Sequence, residues 1–117
     1  MVWSVTFHDA FEPEFLALSP VVQDALLSAV RVLGDFGPSL GRPYADTLNG
    51  SRHANMKELR LKADGGVWRI AFAFDPSRRA ILLVAGDKSG IAQALFYRRF
   101  INVADRRLDS HLLASFG

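Results

Sequence analysis

The side chains best equipped for chemistry in this chain are bases gathered in its middle third. They are Arg52, His53, Lys57, Arg60, Arg69 and Lys88, with Glu58 and Asp87 among them. Eleven of the fourteen basic residues are arginine, whose planar fork of donors grips a phosphate or carboxylate by two bonds at once. The order of neighbouring residues predicts how two of them meet. In the run from Val67 to Phe74, Trp68, Ile70, Phe72 and Phe74 alternate with Val67, Arg69, Ala71 and Ala73. On a strand the first set faces a core and the second an opposite, open side. Over 56–61, Leu59 and Leu61 belong with the core and Glu58 and Arg60 with the open side. If these strands are neighbours, Arg60 and Arg69 lie close together, and Glu58 can neutralise only one of them. Such a pair suits an oxyanion, and the competing reading is an Arg–Glu–Arg surface network that contributes little.

The other candidates are placed less directly. Strict alternation turns Lys57 toward the core, where an unpaired ammonium is costly, so a frayed strand start or a bulge is expected there. Asp87-Lys88-Ser89-Gly90 follows a strand and opens the last helix, where Asp87 or Ser89 could equally serve as an N-cap. Arg52 and His53 lie in the loop before Met56, and His53 is the one histidine near this group that could exchange a proton near neutral pH.

Composition removes several classes of function. With no cysteine, disulfide scaffolds, thiolate metal sites and thiol nucleophiles are all excluded, and a reducing cytoplasm is the compartment that fits. His8, His53 and His111 lack metal-ligand spacing, so neither a metal nor another cofactor is expected. Gly86-Asp-Lys-Ser-Gly90 lacks the spacer of a phosphate-binding P-loop, and there is no Gly-x-Ser-x-Gly elbow. No apolar run is long enough for a membrane span, and the first residues do not have the basic start of a signal peptide. The net charge of +2 is unevenly spread. Residues 1–51 hold two bases against six acids, and residues 52–117 hold twelve bases against six acids. A basic second half points to a polyanion.

The elements that must position these groups follow from patterning. At 117 residues the chain suits a single domain, 1–117, with one modest core. Val2 to Phe7 reads as a strand and Asp9 to Leu18 as a short helix limited by Pro13. Ser19-Pro20 starts a longer helix that Gly37-Pro38 stops. Residues 37–55 read as a loop. Strands over 56–61, 67–74 and 80–85, joined by Asp64-Gly65-Gly66 and Asp75-Pro76-Ser77, form a meander, and 91–113 is helical. The expected fold is α+β: a small twisted antiparallel sheet, order β-α-α-β-β-β-α, with helices packed on one face.

The segments Gly37-Pro-Ser-Leu-Gly-Arg-Pro43, Asp46 to Arg60 with its Lys57-Glu-Leu-Arg60, Trp68-Arg69 to Pro76 and Ile81 to Lys88 resemble the HigB-type branch of the RelE/ParE toxins, which includes phage-derived host-killing relatives. The likeness runs through Tyr97 to Ala104-Asp105 and His111-Leu112. It implies a toxin of a type II toxin–antitoxin system that cuts mRNA on the ribosome without a metal. It also implies a neighbouring helix-turn-helix, HigA-like antitoxin, whose expected place is over the basic face. Under it Arg60 and Arg69 hold the scissile phosphate and Glu58 steadies Arg60. Lys57 or Lys88 lowers the 2′-hydroxyl pKa or protonates the leaving oxygen, and His53 carries protons. Arg52 and Asp87 join Glu58 as substrate-binding candidates. RelE-like nucleases carry a Lys-rich site and a late Tyr, and many HigB-like members carry a Lys pair after the last strand. Here a single Lys88 follows Asp87, and Tyr97 falls within the last helix. ParE-like members poison gyrase instead, which leaves a gyrase-directed inhibitor as one alternative and a non-toxic antitoxin-binding module as another.

Overall fold

The structure, a computed structural model, describes residues 2–116, with the Phe116 side chain left out. Its strands are β1 (Ser4–Phe7), β2 (Ala45–Thr47), β3 (Lys57–Ala63), β4 (Gly66–Phe74) and β5 (Arg79–Asp87). Its α-helices are α1 (Phe11–Leu16), α2 (Pro20–Phe36) and α3 (Gln93–Phe116). Each boundary has a local cause. The Ser19 hydroxyl accepts the Val22 N–H at 3.3 Å, and Pro20 opens α2 without wasting a donor. Gly37 ends α2 at φ +58°, and a Cβ there would lie 2.3 Å from the Trp3 indole, so glycine is required both by the backbone and by space.

The α+β class and the order of elements agree with the sequence. The sheet order is β1-β5-β4-β3-β2, with the predicted antiparallel meander β3-β4-β5 at its centre. Three particulars differ. First, β1 pairs with β5 in parallel, because α1 and α2 carry the chain across one face before it re-enters the sheet. Second, the long connection after α2 contains a 3₁₀ turn (Gly37–Ser39) and the strand β2, which pairs only with the first part of β3. Ala-Asp-Thr has weak intrinsic strand preference, so only its partner reveals it.

Third, the helices cover both faces of the sheet rather than one. On one side Phe11, Phe15, Leu26 and Leu33 from α1 and α2 pack on Leu59, Ile70, Phe72 and Leu82. On the other side Phe96, Phe100, Ala104 and Leu108 of α3 pack on Ala71, Ala73, Ile81 and Leu83. The small residues that suggested an open floor are in fact a seat for α3. Ala71 and Ala73 let the helix approach, and a Cβ at Gly86 would come within 2.8 Å of the Phe96 ring. At the Arg69 end α3 meets this face through the Tyr97 hydroxyl.

Candidate functional site

The register places Arg60 directly opposite Arg69 and Glu58 directly opposite Ala71 on β4, with Asp46 of β2 facing Glu58 from the other side. The first turns of α3 bring Tyr97 over the same residues. Glu58 is the hub of this group and is 2% exposed. Nε and Nη2 of Arg60 donate to its Oε2 at 3.2 and 3.1 Å. The Tyr97 hydroxyl donates to its Oε1 at 3.0 Å and accepts from Arg69 Nε at 3.3 Å. Arg69 also donates to the Trp68 carbonyl, and its Nε lies 3.9 Å from Glu58. Arg60 Nη2 is 3.5 Å from Asp46, which in turn accepts from Arg42 at 2.8 Å.

Exposure separates the two central arginines: the Arg60 side chain is 36% exposed and that of Arg69 is 13% exposed. Arg69 is therefore mainly a support for Tyr97, whereas Arg60 borders open space. Its Nη1 has no protein partner among the described residues. Arg60, Glu58, Asp46, Asn49, Gln93 and Tyr97 line a cleft of ≈ 640 Å³. Arg60 is the base among the charged lining residues, against the carboxylates of Asp46 and Glu58, and Arg42 on Asp46 and Arg69 on Tyr97 add their charge from outside the cleft. Burial, reinforced by the Glu58 carboxylate and opposed by Arg69, pushes the Tyr97 phenol above the usual tyrosine range, so it remains a proton donor. The Thr47 N–H and the Arg42 guanidinium hold Asp46 below the usual carboxylate range. The cleft can thus receive one anionic oxygen at Arg60, beside a phenol that keeps its proton.

The other predicted residues lie elsewhere to differing degrees. Lys88 reaches the rim, with Nζ 3.5 Å from the Gln93 side-chain oxygen. Lys57 is opposite Phe72 and so points to the α2 side, where it donates to the Pro38 carbonyl at 3.2 Å; strand alternation, with no bulge in this pairing, sends it away from Glu58. Asp87 is opposite Trp68 on that same side, and its Oδ1 accepts the N–H groups of Val67 and Ser89. The Ser89 hydroxyl, which also donates to Oδ1, and then these N–H groups lower its pKa and give it a turn-forming role. Arg52 and His53 are drawn to α3, where Arg52 pairs with Asp105 and Asp109 and His53 Nε2 lies 2.7 Å from Asp109. Asp105 and Asp109 come about 12 and 18 Å after Tyr97 along the helix axis at ~1.5 Å per residue. This pair therefore clamps the loop before β3 onto α3 and does not join the cleft.

Tyr97, Asp46 and Gln93 were not selected as site residues from the sequence. Helical spacing places Gln93 and Tyr97 on neighbouring turns, a signal that could have grouped them. Nothing local marks Asp46, since its role arises from β2 pairing with β3.

The family model described as phage derived protein Gp49-like (DUF891) matches residues 13–109, which include every residue of this cleft. The chain belongs to the Gp49-like family. Two proteins of Mycobacterium tuberculosis (strain ATCC 25618 / H37Rv) are similar to it. The candidate toxin HigB3 is 43% identical over 103 residues, covering 88% of each chain. The candidate toxin HigB2 is 47% identical over 90 residues, covering 76% of this chain; the Gp49-like chain spans 44% of HigB2's length. These relatives agree with the HigB-like resemblance of the sequence. In three dimensions the Gp49-like chain is similar to a mutant of the E. coli toxin RelE in the free state, with TM-score 0.65 and 14% identity over 92% of this chain and 98% of that one. At that identity the likeness speaks for the fold.

Proposed function

We propose that this chain is the toxin of a type II toxin–antitoxin pair and acts as an endonuclease on ribosome-bound mRNA. The observation that carries the reading is the opposition of Arg60 and Arg69 on β3 and β4, with Glu58 and Tyr97 tying them to one cleft. HigB relatives described as candidate toxins support the broader part of it. In the proposed reaction the substrate's 2′-oxygen attacks the adjacent phosphorus while the bond to the 5′-oxygen breaks. The products are a 2′,3′-cyclic phosphate and a 5′-hydroxyl. Charge grows on the non-bridging oxygens, and Arg60, whose Nη1 is free, is suited to take it; removing one such donor costs about 10²–10³ in rate. Tyr97 is suited to protonate the leaving 5′-oxygen. Lys88 at the rim is suited to ease loss of the 2′-proton. Lys57 and His53 stand apart from this constellation. The partner is an antitoxin of helix-turn-helix type, which would silence the toxin by covering Arg60.

Induced expression should arrest growth and cleave ribosome-associated mRNA, with a cyclic phosphate on the upstream fragment, and Arg60→Ala should relieve both. Arrest that persists in the Arg60→Ala, Arg69→Ala double variant would overturn the site. DNA damage with intact mRNA would point to a gyrase-directed inhibitor instead.

A further inference from the structure

Most of the chain's arginines are already committed. Arg42, Arg52, Arg60, Arg69, Arg79 and Arg107 each reach a carboxylate, and Arg78 lies over the Trp3 ring at 4.8 Å. Arg98, Arg99 and Arg106 are different. All three are exposed on α3 and have no ion pair or hydrogen bond among the described residues. Ala94, Arg98, Asn102 and Arg106 follow one another at intervals of four, which on a helix makes a single row of side chains. Every residue of the row is exposed, and Arg99 flanks it. The row begins in the cleft, because Ala94 lines it beside Gln93 and Tyr97. The two acids of α3 do not neutralise the row, since Arg52 and His53 have taken Asp105 and Asp109. A loop-to-helix clamp on one side of α3 thus leaves a purely cationic ridge beside it.

We infer that this ridge binds the phosphodiester backbone of RNA adjoining the strand held in the cleft. The inference rests on the nuclease reading above and adds to it a surface about 12 Å long from Arg98 to Arg106, at ~1.5 Å per residue. All three charges are arginine, which meets a phosphate or a carboxylate by two bonds. Two features favour RNA over an acidic protein segment. Asn102 between the arginines is a further polar contact, and the row contains no large apolar side chain, which a protein partner would use as an anchor. The ridge is also continuous with a cleft proposed to hold RNA. Phosphate contacts of this kind position the nucleic acid without reading its sequence.

The test measures binding of a fluorescent 2′-O-methyl RNA hairpin to the full chain as a function of salt. This probe cannot be cleaved, so the outcome is independent of the Arg60 activity test and either can fail alone. Changing Arg98, Arg99 and Arg106 together to Gln should reduce the slope of log K against log salt by about 2 to 3. The triple Lys variant should keep the slope, because the slope counts charge. Arg31→Gln, an exposed arginine on α2 away from the row, should also leave it unchanged. Circular dichroism confirms that each variant is folded. An unchanged slope in the triple Gln variant overturns the inference. So does loss of binding to poly-glutamate with RNA binding intact, which would assign the ridge to an acidic protein.

Discussion

α3 covers a buried carboxylate near each of its ends, and the two are held in different ways. Near its start, Glu58 is bound entirely by side chains, those of Arg60 and Tyr97. Near its other end, Asp75 accepts the backbone N–H groups of Ser77 and Arg79, the Arg79 guanidinium, and His111 Nε2 at 3.0 Å. The principal arginines are similarly accessible, 36% of the side chain for Arg60 and 42% for Arg79. Exposure therefore does not distinguish the regions. The kind of partner does. Asp75 knits a turn and fastens α3 to it, so exchanging its partners would undo backbone structure. Glu58 organises side chains over a cleft, and those can trade one hydrogen bond for a ligand while the backbone stays in place.

Removing each hub in turn separates the two regions most strongly. Asp75→Ala should cost about 3 kcal/mol or more, because Arg79, His111 and two turn N–H groups lose their acceptor together. Urea denaturation measures the loss, and cleavage per folded molecule should be unaffected. Arg60→Ala should do the reverse. Cleavage rate should fall about 10²–10³-fold, with a stability loss well below that of Asp75→Ala. Equal destabilisation by the two changes would erase the distinction.

Two smaller effects involve single side chains at these regions. Tyr97→Phe removes the hydroxyl that joins Glu58 to Arg69 and should cost about 1 kcal/mol. Because the fold raises the phenol's pKa, its contribution should be fully present below the ordinary tyrosine value near ~10 and decline as pH rises from there through the folded value. A pH titration of wild type against Tyr97→Phe reports any earlier loss. The smallest effect concerns His8, which shares a depression with Arg79 and His111. Burial first, then Arg107, lowers its pKa; Asp9 opposes this and His111 adds to it. The unfolded state consequently binds the proton more readily, and stability should decline as pH falls below about 6.5. His8→Gln should flatten that part of the stability–pH curve. Asp75, also lowered, loses its contribution only further down, as pH falls through its folded pKa below the ordinary carboxylate value.

Local rules made a good part of the fold legible. Ser19-Pro20 and Gly37 bound α2 because capping and backbone conformation are decided within a few residues. Alternation in β3 and β4 was enough to set Arg60 beside Arg69 and to keep Glu58 with them, since a strand's two faces are settled by parity and a meander by its turns. Parity likewise turned Lys57 away, and the observed contact with Pro38 follows it.

What alternation leaves open is the occupant of the second face. A row of Ala and Gly beneath an arginine reads equally as an exposed floor or as a seat for a helix, and only the packing of Phe96 and Phe100 over Gly86 decides between them. That packing brought Tyr97 to Glu58, drew Arg52 and His53 to Asp105 and Asp109, and left Arg98, Arg99 and Arg106 facing outward. The elements and the arginine pair are legible in the residue order because they depend on neighbours in the chain. Which charges are neutralised and which remain available follows from packing, because ion pairs form between residues that the chain order keeps far apart.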